Sequence, residues 1–172
     1  MGFVSKNSLI FILCSILLFG CSNKEELKII QTYQGDYLEI GIVGEIPTSV
    51  KEKNVKFKKI TLQDLNQKTT DSFDAIMITK KHLKEASNEK YTDFYLKSSI
   101  PVIFIQSDKA ISAFITPGHT YENTFENYAQ DYFIGYYKDT NFGITLNGDT
   151  TKDLEDGYSS LFILLDEFKQ NK

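Results

Sequence analysis

Apolar residues recur along the chain in short bursts separated by polar loops, and the bursts carry two periods. Residues 37–44 and 73–79 are dense in apolar side chains, as strands covered on both faces are. Residues 100–107 form the clearest such run, with Pro101 at its start, where a missing amide donor costs least. Residues 55–62 alternate through Val55 and Phe57, then slip to Ile60 and Leu62, the pattern of an edge strand with one irregularity. Between these runs, residues 61–70 read as a short helix through Leu62 and Leu65. Residues 80–97 read as a helical stretch with a break at Ser87-Asn88. The order strand, helix, strand, helix, strand predicts a parallel sheet with helices on its faces.

The last third follows another plan. Residues 110–116 are apolar and stop at Pro117-Gly118, a turn dipeptide. Tyr121, Phe125, Tyr128 and Tyr132 recur at helical spacing. Residues 133–137 and 142–146 read as a hairpin with a polar turn at Asp139-Thr140-Asn141. A closing helix is predicted over 151–169, with Leu154, Tyr158, Leu161, Phe162, Leu165 and Phe168 on one face. Thr150 and Asp153 match a capping box, and Lys169 lies in the last turn. The expected fold class is α/β. It is a single three-layer domain over residues 36–172 with a mainly parallel sheet, flavodoxin-like or Rossmann-like, a C-terminal β-hairpin and the closing helix.

The amino-terminal segment has its own pattern. Lys6 precedes an apolar run from Leu9 to Phe19, too short for a bilayer, which needs about 20 helical residues. A positive start, a short apolar run and a small residue at its end describe a secretory signal. The tetrapeptide Leu18-Phe19-Gly20-Cys21 resembles the bacterial lipobox. That resemblance implies a diacylglyceryl group on the Cys21 thiol and cleavage after Gly20. It divides the chain into a signal peptide at 1–20, a lipidated tether at 21–35 and the domain. It also implies a partner, the cell membrane, with the protein on its extracytoplasmic face. Two acyl chains give stable anchoring where one does not. The plainer alternative is an uncleaved anchor or buried N-terminal helix, with Cys21 an ordinary apolar cysteine.

Charge removes one class of partner. The formal net charge is −4, and all 19 basic residues are lysine. An acidic chain without the bidentate arginine fork lacks the footprint of nucleic-acid binding. The basic run Lys51, Lys53, Lys56, Lys58 and Lys59 fits an edge strand guarded against aggregation. The cleavage that the lipobox resemblance implies would remove Cys14 with the signal and leave Cys21 with no disulfide partner.

Candidate chemistry is sparse. Ligands of open parallel sheets sit outside the carboxyl ends of the strands, which here present Glu45, Thr79, Lys80, Gln106, Ser107 and Asp108. Of these, Glu45, Thr79, Gln106, Ser107 and Asp108 are the candidate ligand-binding residues, for a small polar molecule. The plainer reading is ordinary loop capping. Asp74 to Thr79 and Ile100 to Ser107, with the helix between them, resemble the third strand, helix and fourth strand of a response-regulator receiver domain. That family carries a phosphorylated aspartate at the end of its third strand, where this chain has Ile78-Thr79-Lys80. The resemblance implies a flavodoxin-like arrangement and no phosphotransfer. Gly41 and Gly44 lack the third glycine of a dinucleotide fingerprint. His82 and His119 lack metal-ligand spacing, and no Gly-x-Ser-x-Gly motif occurs. No cofactor, metal or catalytic residue is assigned. The tyrosines at 121, 128, 132, 136 and 137 either line a sugar or peptide groove or pack as core.

Three functions remain open. One is a non-catalytic envelope lipoprotein that binds a small polar ligand or another envelope protein. The second is an extracytoplasmic hydrolase using acidic residues at the sheet's carboxyl edge. The third is an interaction module presenting the hairpin at 133–146, which requires an exposed aromatic patch there.

Overall fold

A computed structural model describes residues 32–171. The expected signal peptide, most of the tether and Cys21 lie outside the described residues. The described chain forms one α/β domain around a six-stranded sheet. Its strands are β1 (Leu38–Val43), β2 (Val55–Ile60), β3 (Ala75–Ile78), β4 (Val102–Ile105), β5 (Phe133–Tyr137) and β6 (Thr140–Ile144). The order is β2-β1-β3-β4-β5-β6, with β1 to β4 parallel, β5 antiparallel to β4, and β6 antiparallel to β5.

The dense apolar runs exist because β1, β3 and β4 are covered on both faces. On β3, Ile76 and Ile78 enter one core while Ala75 and Met77 enter the other. On β4, Val102 and Phe104 separate in the same way from Ile103 and Ile105. The first core lies under α1 (Gln67–Ser72), α2 (Leu83–Ala86), α3 (Thr92–Lys97) and α4 (Ser112–Ile115). There Phe104 stacks on Phe114 at 3.8 Å between ring centroids. The second core lies under α5 (Thr151–Gln170), whose Tyr158, Leu161, Phe162 and Leu165 are buried. Each such side chain contributes about 1.5–3 kcal/mol through loss of apolar surface from water. The alternating strand β2 is the lysine-guarded edge, with Lys56, Lys58 and Lys59 exposed.

Helix α5 matches its expected span, and its start has the expected cause. The Thr150 side chain accepts from the Asp153 amide, and the Asp153 carboxylate accepts in return from the Thr150 amide at 3.1 Å. The break at Ser87-Asn88 also occurs. Ser87 terminates α2, and Asn88 caps a 3-10 turn at Glu89–Tyr91 that leads into α3.

Three elements depart from the sequence expectation. The helix expected at 61–70 is a 3-10 turn at Leu62–Asp64 followed by α1, because Asn66 caps a new start by accepting from the Lys68 amide. No helix forms across Tyr121, Phe125, Tyr128 and Tyr132, which lie on turns. Asn127 donates instead to the carbonyls of Ser107 and Asp131, a side-chain bonding pattern that competes with helix. The hairpin turns at Lys138-Asp139 rather than at 139–141. Both residues have positive φ, 44° and 61°, the primed geometry that matches the right-handed twist of the flanking strands. The hairpin rings of Phe133, Tyr136 and Tyr137 are buried, and Phe142 packs on Phe168. The exposed aromatic patch required by an interaction module at 133–146 is therefore absent.

Candidate functional site

The strand order reverses between β1 and β3, and the chain leaves both strands through unusual contacts. Gly44 follows β1 with φ +116°, and a Cβ there would lie 1.9 Å from Thr79 Oγ1. This close approach lets the Thr79 amide and hydroxyl both donate to the Val43 carbonyl, at 3.0 and 3.1 Å. Helix α5 begins above this crevice and brings Thr151, Leu154, Glu155 and Tyr158 to its wall. With Glu45, Thr79, Gln106 and Tyr132 they enclose about 580 Å³.

Two further hollows continue along the same edge. One of about 540 Å³ runs past Gln130 and Thr145 to Thr150. Another of about 490 Å³ runs past Lys80, Asp108 and Tyr128. Gln106 and Tyr132 line all three, so the hollows form one trough with this pair at its centre. Gln106 leaves β4 in left-handed backbone, φ 56°, with its amide donating to the Tyr132 carbonyl at 2.7 Å. Gln130 is also left-handed, φ 55°. Both side chains are exposed.

The five candidate residues divide. Glu45, Thr79 and Gln106 share the crevice at the switch point. Ser107 is buried, and its hydroxyl closes a local turn by donating to the Lys109 carbonyl at 2.7 Å and accepting from the Lys109 amide at 3.1 Å. Asp108 lies on the adjoining hollow, paired with Lys80 at 3.0 Å, while its amide donates to the Tyr121 hydroxyl. Ser107 thus follows the loop-capping alternative. Compared with family models, curated proteins and solved structures, the chain matches none of them. The site stands on its own geometry.

Several charges along this edge are held in pairs, while Asp131 and Asp149 line the adjoining hollows with no ion-pair partner among the described residues. Glu45 joins Lys59 at 2.9 Å, and that hydrogen bond and charge hold its carboxyl below the ordinary glutamate value. Lys51 pairs with Glu155, and Lys109 with Glu126. Burial pushes the phenols of Tyr132 and Tyr158 upward, so both stay neutral through the physiological range. Among the described residues, no group of three or more His, Cys, Asp and Glu side chains could hold a metal ion.

Sequence reasoning missed Gln130 and the first turns of α5 as parts of this site. Gln130 has no local signal, since only the folding of the preceding turns brings it beside Gln106. Tyr132 stood among the flagged tyrosines, and its place beside β4 depends on an antiparallel pairing that no spacing reveals.

Proposed function

We propose that the protein is a membrane-anchored envelope lipoprotein whose α/β domain holds a small polar ligand, without catalysis, in the carboxyl-edge trough. The observation that carries this reading is the opposition of the two ends of the domain. Residues 32–35 lie beside Ile163, Asp166 and Gln170, at the carboxyl end of α5. The trough lies at its amino end, by Thr151 and Leu154. A helix of 20 residues separates those ends by about 30 Å. A chain lipidated at Cys21 would therefore enter the domain at the end opposite the trough. Among the described residues no helix is long and apolar enough to cross a membrane, and in this reading attachment rests on Cys21.

The hydrolase reading gains less support. It asks for one carboxyl kept protonated beside another kept ionised. Glu45 is shifted the opposite way, held ionised by Lys59, and Glu155 in the same crevice has its own lysine.

The anchor is tested by labelling cells with radioactive palmitate and fractionating wild type and Cys21→Ser. Label on the wild type, with the variant released or stalled as precursor, supports it. Unchanged membrane retention of the variant at mature size overturns it. The trough is tested by native mass spectrometry of detergent-extracted protein. A bound small molecule kept by wild type and lost by Tyr132→Ala supports it, and identical spectra overturn it.

A further inference from the structure

We propose that the trough takes an uncharged oligosaccharide, its hydroxyls bonded by the side-chain amides of Gln106 and Gln130 and a sugar face stacked on Tyr128. This inference rests on the reading of the carboxyl edge as a ligand site and names its ligand class.

Charge argues first. The lysines along the edge are already neutralised, Lys51 by Glu155, Lys59 by Glu45, Lys80 by Asp108 and Lys109 by Glu126. An anionic ligand would have to displace one of these partners and would meet the Asp131 and Asp149 carboxylates, whereas a neutral one leaves all four pairs intact. What remains to recognise a ligand is the Asp131 and Asp149 carboxylates, which accept from hydroxyls, and the two glutamine amides. Among the described residues, neither the Gln106 nor the Gln130 side chain has a hydrogen-bond partner, and each amide offers both donors and an acceptor. Sugar hydroxyls also donate and accept, so they match that inventory.

Backbone strain points to the same pair. Both glutamines occupy left-handed conformations that glycine adopts without penalty, φ 56° and 55°. Non-glycine residues held this way concentrate at binding sites, where the side chain is worth the strain. Both line the same two hollows, together with Tyr132.

The aromatic part follows from exposure. Tyr128 is 81 % exposed on the rim beside Gln130, and Phe125 on the same loop is 72 % exposed. The C–H face of a pyranose is apolar and its edge is polar, so a ring beside amides complements both. The trough extends through three adjoining hollows. Each alone falls within the range of about 300–1,000 Å³ typical of small-molecule sites, so the whole trough suits a chain of sugars better than a single one.

The test is saturation-transfer NMR on the full chain in detergent micelles, with N-acetylchitotetraose and maltotetraose as probes. The two probes separate a wall-type amino-sugar chain from a glucan. Either one should show transfer to its ring protons. Gln106→Gly, Gln130→Gly and Tyr128→Ala should each weaken that probe about tenfold, as loss of one hydrogen bond or stacking contact does. Lys97→Ala, on α3, should leave it unchanged. The glycine substitutions suit the existing backbone, and a cooperative unfolding curve confirms that each variant is folded. Suppose no sugar binds, but a mixture of free amino acids does and loses its signal in Gln106→Gly. The oligosaccharide is then overturned, and the trough survives as a ligand site. Sugar binding indifferent to all three trough variants overturns both readings, and silence from every probe does the same.

Discussion

Lys169 reaches back from the last turn of α5 to the carboxylate of Asp74, with Nζ 3.1 Å from Oδ1. The same carboxylate accepts from the Glu39 amide at 2.9 Å, and the same ammonium donates to the Tyr37 carbonyl at 2.7 Å. One ion pair therefore joins the end of the closing helix to the starts of β1 and β3. Both side chains are largely shielded, at 33 % and 16 % exposure, so solvent screens the pair less than a surface pair.

Asp74→Ala should cost about 1–2 kcal/mol, because it leaves the Glu39 amide without its acceptor and takes the charge partner from Lys169, which keeps its bond to the Tyr37 carbonyl. Lys169→Ala should cost about 1 kcal/mol, since Asp74 keeps its bond from Glu39. Urea unfolding of the two single variants and the double variant measures the coupling. Strict additivity of the two losses would show that the pair contributes nothing beyond its separate bonds.

Gln106→Gly and Gln130→Gly should each stabilise the fold by about 0.5–1 kcal/mol. Left-handed backbone costs an L-residue about 1–2 kcal/mol, and the greater freedom of glycine in the unfolded chain returns part of that gain. A higher urea midpoint with unchanged slope is the expected observation. Lower midpoints would mean that the glutamine side chains stabilise the loops by contacts that outweigh the strain.

Gly44→Ala should destabilise by at least about 2 kcal/mol, combining left-handed strain with a collision. The collision has a named partner, since the new Cβ would meet Thr79 Oγ1 at 1.9 Å. Adding Thr79→Ala removes that atom and the hydroxyl bond to the Val43 carbonyl. The double variant should recover the collision cost and keep the strain, so it should be more stable than the sum of the two losses predicts. Additive losses would remove the Thr79 contact as the reason for glycine at this position.

The pattern of the chain was legible wherever local periodicity and burial agree. β3 and β4 are apolar throughout because they face two cores, and α5 carries both its apolar stripe and its capping box in sequence. Legibility failed where long-range bonds overrule spacing. Tyr121 to Tyr132 has helical spacing, yet Tyr121 packs on Phe114 while Asn127 bonds Ser107 and Asp131, and the segment is held as turns. The Lys138-Asp139 turn escaped because neither residue is the glycine or asparagine that signals a primed turn. For the site, Glu45, Thr79 and Gln106 follow from the rule that strand ends make sites. Gln130 and the amino end of α5 do not, because they reach the trough from distant sequence, and backbone strain at a glutamine leaves no trace in composition.

Alkaline pH should unfold the protein through its buried tyrosines. Tyr95 and Tyr158 are 1 % and 3 % exposed, and burial pushes both phenols far above the ordinary value of 10.0. A folded-state pKa raised in this way gives stability that is complete below the unfolded value. It is lost as pH rises beyond that value, where the unfolded chain releases protons that the folded chain retains. Each such tyrosine should lower stability by about 1.4 kcal/mol per pH unit above 10. Tyr158→Phe keeps the ring that packs on Phe133 and Phe162 and removes the titrating group. Tyr95→Phe also loses the hydroxyl bond to the Ala86 carbonyl, so Tyr158 is the cleaner position. Urea midpoints from pH 8 to 11 should fall less steeply for Tyr158→Phe than for wild type. The chain has no tryptophan, so phenolate absorbance gives an independent readout, in which Tyr95 and Tyr158 ionise only on unfolding. Parallel stability curves for the two proteins would mean that Tyr158 ionises in the folded state, and that its burial does not set the alkaline limit.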